Sequence, residues 1–352
     1  MKSTVFKHLL FAPALAISSV GVVTAPARLL PQKVAIKAQP RTTESALRTT
    51  RALALQVQLA RAGISVGEID GASGQNTAAA LRAFQRARGL TPTGVADTAT
   101  WRALRTTAPA SSVIRIRISR KDIAGPYTKV PAAPEVFSRR NCACYGSALE
   151  ALAERYHASP ALLRRLNPRL RRRPMRAGDV LVVPNAITRV TSKVRAVRVV
   201  VDIRDVPAVQ AFDSVGTLVF HAPATVGAGA ADSATSGATV AHIVWKPKYR
   251  YQPAMFGDRK PGARSLTFPS GPNSPVGSVW IGLNKKHVGL HGTAEPGRIG
   301  RDTSHGCVRL TNWDAARLAS ILKLGTHVEF RRAIQVADGP DAKTTNQSPP
   351  SR

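Results

Sequence analysis

Apolar residues recur at helical spacing between residues 47 and 107. Three pairs, each three or four positions apart, mark three helical faces: Leu55 and Leu59, Leu81 and Phe84, and Trp101 and Leu104. Turn-forming residues, such as the Asp70-Gly71 dipeptide and Gly89, separate the pairs, and Asp97 is a candidate N-cap for the last helix. The pattern predicts a small all-α domain with three short helices around one core.

A second pattern covers residues 139–186. Two helical stretches separated by a proline lead into an apolar run at residues 180–183, which predicts a small α+β module. The preceding residues, 108–138, are rich in Pro, Ala and Ser, and we expect them to form a linker. Within that linker, residues 113–118 alternate apolar side chains with Arg, as in a short strand.

From residue 195 to residue 332 the spacing becomes that of β-strands. β-branched residues crowd short runs that Gly and Pro separate, at 198–203, 217–220, 239–245, 279–283 and 288–290. A clear helical pattern stands at residues 313–324. We therefore expect a mostly-β domain over this span, and a polar, disordered tail at residues 333–352. The fold class is multidomain.

Residues 1–27 have the layout of a secretory signal peptide. Lys2 and Lys7 precede an apolar stretch at 9–25, and small residues at 25–27 offer a cleavage site. Residues 28–46 lack periodicity and are predicted to be a linker. We expect export to the periplasm or cell wall, and an uncleaved N-terminal anchor is the alternative.

The chain is strongly basic, with 51 Lys and Arg against 20 Asp and Glu and a formal net charge of +31. Such a charge attracts polyanions. For an exported protein the partners are anionic envelope polymers, and we expect no nucleic acid partner. The codon use of a GC-rich genome explains the same arginine content equally well.

The chain has three cysteines, so at least one thiol lacks an intramolecular partner. Cys142 and Cys144 are one residue apart; they are either incidental or joined in a weak local disulfide. A metal pair would need a second Cys or His pair nearby, and the sequence offers none at suitable spacing.

Cys307 is the candidate nucleophile. It lies in two neighbouring runs of chemically demanding residues, Leu290-His291-Gly292-Thr293 and Ser304-His305-Gly306-Cys307-Val308-Arg309. A thiol with the ordinary pKa of about 8.5 is mostly protonated at neutral pH, so a histidine must take its proton or hold the thiolate as an ion pair. His291 can do so from a separate strand, whereas His305 is only two residues away along the chain.

Smaller features fit the same chemistry. Gly306 permits a tight turn and close approach of a carbonyl substrate, and backbone N–H groups of Gly306 and Cys307 are candidates for stabilising an oxyanion. Arg309 is suited to a substrate carboxylate or to orienting the loop. The set of His287, His291, His305 and Cys307 also allows a zinc site, but Gly289 and Gly292 disfavour the helix that an H-x-x-x-H pair needs, and we expect no metal or cofactor.

Residues 47–107 resemble the three-helix peptidoglycan-binding domain, because the glycines, the Phe84-Gln85 pair and Trp101 all fall in order. Residues 139–186 resemble a LysM repeat at Leu166-Asn167-Pro168 and at the run from Gly178 to Pro184. These resemblances imply binding to the peptide stems and glycan chains of peptidoglycan. In each case a spacer with the same fold is the alternative.

The two runs around Cys307 resemble the catalytic signature of the L,D-transpeptidases, and the likeness extends over residues 195–332. It implies that Cys307 attacks the third residue of a tetrapeptide stem, releases D-Ala and leaves a thioester, which a neighbouring stem amine resolves into a 3→3 cross-link. Water or a protein amine as acceptor would give a carboxypeptidase or a protein-anchoring enzyme. The resemblance also implies reaction with carbapenems.

The same resemblance assigns roles to site residues. His291 is the general base, Gly292 orients it through its carbonyl, and Ser304 and His305 support the oxyanion loop. Tyr249, Tyr251 and Met255 are candidates for the donor groove, with strand packing as the alternative. The region 234–239 lacks the Thr-Pro-x-Gly of many relatives. Two rival hypotheses are a wall-binding scaffold without activity and a protein that binds polyanions by charge alone.

Overall fold

The three-helix pattern is confirmed in the computed structural model, which describes residues 43–105, 111–187, 194–227, 237–253, 264–301 and 306–332. The helices are α1 (Thr43–Arg61), α2 (Gln75–Ala87) and α3 (Thr98–Arg105). Leu59, Phe84 and Leu104 are fully buried between them. Asp97 accepts a hydrogen bond from the Thr100 backbone N–H at 2.7 Å, as expected of a residue that caps α3. The predicted signal peptide and tail lie outside the described residues.

An α+β module follows. Its helices are α4 (Lys121–Ala124), α5 (Pro134–Ser138), α6 (Ala148–Arg155) and α7 (Pro160–Leu166), and a 3₁₀ turn spans Pro168–Arg171. Two strands, β1 (Val113–Arg117) and β2 (Val180–Pro184), pair antiparallel. The α+β class is as expected, and membership of the LysM family stays a prediction.

The predicted linker 108–138 contains β1, α4 and α5, so the structure corrects that expectation. The backbone of β2 needs a hydrogen-bonding partner, and β1 supplies it along its whole length. Arg115 and Arg117 are exposed, while Ile116 packs on the core and Ile118 is buried. The Pro-, Ala- and Ser-rich composition predicted a linker, whereas the alternation at residues 113–118 correctly predicted the strand.

The three-helix region and the α+β module share one hydrophobic core. Leu59 and Phe84 belong to the same buried cluster as Leu163 and Leu181. Backbone hydrogen bonds connect the two regions, from the Ile69 N–H to the His157 carbonyl at 2.8 Å and from the Ser159 N–H to the Ile69 carbonyl at 2.9 Å. The two segments therefore pack as one N-terminal region.

The remaining part is mostly β, as predicted. Its strands are β3 (Arg198–Asp202), β4 (Ala208–Phe212), β5 (Leu218–Pro223), β6 (Thr225–Val226), β7 (Ala238–Trp245), β8 (Tyr249–Tyr251), β9 (Leu266–Phe268), β10 (Val279–Leu283), β11 (Gly289–His291), β12 (Val308–Arg309) and β13 (His327–Arg331). Within the described residues, nine strands form one sheet in the order β5-β4-β3-β13-β7-β10-β11-β12-β6. Strands β8 and β9 pair separately.

The sheet is mixed, and one of its parallel pairs positions the site described below. Strands β3 and β13 are parallel, as are β11 and β12, while the other neighbours are antiparallel. Helix α8 (Asn312–Ile321) packs on β10 and β11, and its Leu318 is buried with Ile281 and Leu290 of the sheet. A short 3₁₀ turn spans Pro296–Arg298.

The N-terminal region covers the edge of this sheet at β5. Ile64 forms a parallel bridge with His221, and the Ser65 N–H donates to the His221 carbonyl at 2.8 Å. An exposed strand edge is a template for unwanted pairing, and this contact removes it. Among the described helices, none is both long and apolar enough to span a membrane.

Candidate active site

His291 ends strand β11, and Cys307 directly precedes β12, the parallel neighbour of β11. In the register of β11 and β12, Leu290 lies opposite Val308 and His291 opposite Arg309, and Cys307 comes directly before β12. The Leu310 N–H donates to the His291 carbonyl at 2.8 Å, and the Gly227 N–H donates to the Cys307 carbonyl at 3.1 Å. Main-chain hydrogen bonds therefore fix both residues from two sides.

The His291 ring is buried, with only 4% of the residue exposed. Its Nδ1 lies 2.7 Å from the Gly292 carbonyl oxygen, and since a carbonyl only accepts, Nδ1 carries the hydrogen. This tautomer leaves Nε2 as a proton acceptor. The Trp280 indole stacks on the ring, with 5.4 Å between centroids and 18° between planes.

Burial sets the protonation state of this histidine. It lowers the pKa of His291 to about 4, a shift that the Gly292 hydrogen bond opposes and the Arg309 charge supports. At neutral pH the imidazole is therefore uncharged. A neutral imidazole with a free Nε2 is the form that a general base requires.

The Cys307 thiol is half-buried and donates to the His287 carbonyl at 3.6 Å. Burial raises the pKa of Cys307, while a hydrogen bond with the Gly289 backbone and the charge of Arg309 lower it. The resting pair is thus a neutral thiol and a neutral imidazole. The proton of the thiol has to leave as the sulfur attacks, and of the two arrangements considered from sequence this favours the general base over a resting ion pair.

Arg309 and Tyr249 belong to the same neighbourhood. Arg309 acts electrostatically on Cys307, His291 and Tyr249. Burial raises the pKa of Tyr249, and the nearby Cys307 contributes to that shift. Tyr251 stacks on Phe268 with 5.1 Å between ring centroids, and the Tyr249 ring lies 6.1 Å from the same ring, so both tyrosines also take part in packing.

Three predicted site residues fall on parts of the chain that the structure does not describe. Ser304, His305 and Met255 lie outside the described residues. Gly306 is described, and a Cβ built there would meet no atom of the described residues within 4 Å, so that part of the chain leaves space open beside Cys307. The alternative zinc set includes His305, and across the described ranges the His, Cys, Asp and Glu side chains form no group of three or more suited to a metal.

Cys142 and Cys144 form a disulfide, one of the two alternatives for that pair. Cys307 is consequently the cysteine that lies outside this disulfide. The residue between Cys142 and Cys144 forms two backbone hydrogen bonds with the mostly-β part of the chain. The Ala143 N–H donates to the Ser270 carbonyl at 2.9 Å, and the Asn273 N–H donates to the Ala143 carbonyl at 2.9 Å.

Sequence reasoning missed Trp280 and Asn312. Trp280 faces His291 across β10 and β11, and a strand-directed aromatic is a weak signal for such a contact. The buried Asn312 accepts from the Ser278 N–H at 3.0 Å and donates to the Pro272 carbonyl at 3.0 Å. An asparagine directly after the reactive run, at the start of a helix, was the available signal.

Comparison with known families separates the chain into two matched parts. The "Putative peptidoglycan binding domain" matches residues 48–104. The "L,D-transpeptidase catalytic domain", also called YkuD, matches residues 196–330 and so contains both Cys307 and His291.

Among curated proteins, "Putative L,D-transpeptidase YkuD" of Bacillus subtilis is 46% identical over 61 residues, which are 17% of this chain and 37% of that protein. "Probable L,D-transpeptidase YbiS" of Escherichia coli strain K12 is 39% identical over 62 residues, 18% of this chain and 20% of that protein. The matched segments therefore span little more than a third of these relatives at most.

Solved structures similar to this chain include two bacterial L,D-transpeptidases. The protein from Xylanimonas cellulosilytica DSM 15894 is 16% identical, with a TM-score of 0.33 over 80% of this chain and 93% of that one. The protein from Stackebrandtia nassauensis is 15% identical, with a TM-score of 0.29 over 80% of this chain and 90% of that one.

Proposed function

The chain carries a peptidoglycan-binding domain followed by an L,D-transpeptidase catalytic domain, and from this premise we propose that it cross-links peptidoglycan through a thioester on Cys307. The observation that carries the proposal is the pairing of β11 with β12. It sets the strand of His291, whose Nδ1 is held by the Gly292 carbonyl, beside the strand that directly follows Cys307.

The first half-reaction is acylation. The Cys307 sulfur attacks the carbonyl carbon of the third residue of a tetrapeptide stem, in the amide bond to the fourth residue. As it attacks, the thiol proton passes to His291 Nε2. The tetrahedral intermediate then collapses, the C–N bond breaks, and the same proton goes to the departing amine of D-Ala. A thioester remains on Cys307.

The second half-reaction restores the thiol. A side-chain amine of a neighbouring stem attacks the thioester carbonyl, His291 Nε2 removes a proton from the amine, and the C–S bond breaks. The sulfur leaves with the proton held by His291. The products are a 3→3 amide and free Cys307. Water in place of the amine gives a tripeptide, and an amine of an envelope protein gives an anchored protein.

The remaining site residues support these steps in the proposal. Backbone N–H groups at Gly306 and Cys307 stabilise the oxyanion, where one donor is typically worth about 3 kcal/mol, and Ser304 and His305 are assigned a supporting role. Arg309 binds a substrate carboxylate or orients the loop. Tyr249, beside Cys307, lines the donor side.

The two domains associate this protein with the cell wall. We place the protein outside the cytoplasm, in the periplasm or cell wall, held to peptidoglycan by its N-terminal region. Anionic envelope polymers add an electrostatic attraction to its charge of +31. Carbapenems, which acylate nucleophiles, are expected to react with Cys307.

One incubation tests the proposal. The protein is mixed with disaccharide-tetrapeptide and the products are separated by mass, with Cys307→Ala as the control. A cross-linked dimer in the parent alone is the expected result, and a tripeptide alone would identify a carboxypeptidase. Unconsumed substrate, together with no carbapenem adduct on Cys307, would overturn the enzymatic proposal and favour the wall-binding scaffold.

A further inference from the structure

The N-terminal α+β module contacts the loop that leads into β10. Besides the two backbone hydrogen bonds of Ala143, the Asn273 side-chain amide donates to Glu150 of α6 at 2.7 Å. Phe137 of α5 packs on Phe268 of β9 with 4.8 Å between ring centroids. The module is thus attached to the catalytic part beside the strands that carry the site.

The contact reaches deepest at Glu154, the half-buried penultimate residue of α6. Its two carboxylate oxygens accept from the Asn312 side-chain amide at 3.2 and 3.1 Å, and the Tyr145 hydroxyl donates to it at 2.8 Å. Asn312 is 2% exposed and opens helix α8, 158 residues further along the chain. A carboxylate of one region therefore satisfies a buried amide of the other.

Glu154, together with Pro272 and Ser278, sets the direction in which the Asn312 amide points. The amide nitrogen can donate to Glu154 and to the Pro272 carbonyl, both of which only accept when the carboxylate is ionised. The amide oxygen then faces the Ser278 N–H, which only donates. A flipped amide would set donor against donor at Ser278 and acceptor against acceptor at Glu154.

The amide oxygen of Asn312 in turn contacts Gly292. A Cβ built on Gly292 would collide with Asn312 Oδ1, so the backbone there approaches the amide as closely as a glycine permits. The carbonyl of this same Gly292 holds His291 Nδ1 at 2.7 Å. One chain of contacts therefore runs from Glu154 through Asn312 and Gly292 to the imidazole.

We propose that Glu154 is a positioning residue for His291, so that the N-terminal module completes the catalytic site by fixing the Asn312 amide against Gly292. The inference rests on the proposed function for its catalytic consequence. It requires a hydrogen-bond acceptor at position 154, and a side chain that only fills the space does not suffice.

A pair of variants of similar size separates these two roles. Glu154→Gln keeps a carbonyl acceptor for Asn312, and its amide can donate to the Tyr145 hydroxyl oxygen. Glu154→Leu fills the space without any acceptor, and Glu154→Met repeats that test should Leu lower the melting temperature. Glu135→Gln, at an exposed residue of α5, is the matched control.

Two readouts are measured on the full chain. The first is the ¹⁵N chemical shifts of the His291 imidazole, assigned by their loss in His291→Gln, which report the nitrogen that carries the hydrogen. The second is kcat and KM of cross-linking. We expect Leu to move the His291 shifts toward a mixture of tautomers and to lower kcat by on the order of tenfold to a hundredfold, with KM nearly unchanged.

Glu154→Gln and Glu135→Gln should give the parent values in both readouts. Unchanged His291 shifts in a folded Glu154→Leu or Glu154→Met would overturn the inference, as would a rise in KM alone. Altered shifts in a protein whose parent forms no product would leave the positioning role standing and reject the proposed function instead.

Discussion

At the scale of single residues, the site combines a thiol and an imidazole that are both neutral at rest. Burial produces this state on each side, because it lowers the pKa of His291 to about 4 and raises that of Cys307. At neutral pH the thiol of the resting site is therefore protonated and not a thiolate. In the proposed mechanism, reactivity depends on the position of Nε2, and the Nδ1–H hydrogen bond to the Gly292 carbonyl holds the ring.

Replacing the base should stop most of the chemistry. We expect His291→Gln to lower kcat by about 10²-fold to 10⁴-fold, the usual contribution of a positioned general base. His287→Gln is the control, because His287 is exposed and its contact with Cys307 is made by the backbone carbonyl. Equal activities in the two variants would contradict the role of His291.

The protonation of the thiol can be measured directly. Since the pKa of Cys307 is raised, the thiol stays protonated at neutral pH, and its alkylation by iodoacetamide should keep rising with pH beyond the range of an ordinary cysteine. Mass spectrometry at each pH gives the rate, and Cys307→Ala gives the background. A plateau that begins below neutral pH would instead reveal a resting ion pair with His291.

At the scale of elements, the spacing of apolar residues predicted those helices and strands that the local sequence determines. The apolar pairs of α1 to α3 and the β-branched runs of the sheet follow from side-chain periodicity. The alternation at residues 113–118 predicted strand β1, but the Pro-, Ala- and Ser-rich composition around it predicted a linker, and the pairing of β1 with β2 is a contact across more than sixty residues. The parallel pairing of β11 with β12, and the reach of Glu154 to Asn312, are likewise long-range contacts that spacing does not encode.

Helix α8 shows how such contacts alter stability. Asp314 in its first turn is buried and accepts from Ser65 of the N-terminal region at 2.9 Å and from Thr311 at 2.7 Å. Burial nevertheless raises the pKa of Asp314 from 3.8 to about 6, against the effect of these hydrogen bonds and of Arg317. The folded protein thus binds this proton more tightly than the unfolded chain does.

The sign of the resulting pH dependence follows from linkage. Between about pH 4 and 6 the Asp314 carboxyl is protonated to a greater extent in the folded state than in the unfolded state, so its contribution to the free energy of unfolding falls as pH rises through this window and levels off above it. Asp314→Asn should remove that contribution, so that the free energy of unfolding falls less, or rises more, across this window than in the parent, as measured by thermal unfolding at a series of pH values. Asp205→Asn, at an exposed carboxylate, should keep the parent slope; if Asp314→Asn also keeps it, the titration of Asp314 is not its cause.

At the scale of the whole molecule, the described residues between 48 and 332 pack together through long-range contacts. The two N-terminal segments share one hydrophobic core, that region covers the β5 edge through Ile64, and Ser65 bonds to Asp314 beside the sheet. The N-terminal region and the mostly-β part are therefore packed against each other and are not joined by a flexible linker alone. A substitution that destabilises one hydrophobic core should therefore also lower the stability of the other.

That coupling can be tested far from the site. Phe84 is fully buried in the N-terminal core, and Phe84→Ala should cost about 3–5 kcal/mol of folding free energy. If the regions unfold together, the urea midpoint for exposure of the Cys307 thiol should fall together with the midpoint for loss of helical circular dichroism. Val215→Ala, at a residue that is 84% exposed, should move neither. A Cys307 midpoint that stays at the parent value while the helical signal shifts would show that the two regions unfold independently, and the sheet edge at β5 would then have to remain stable without its cover.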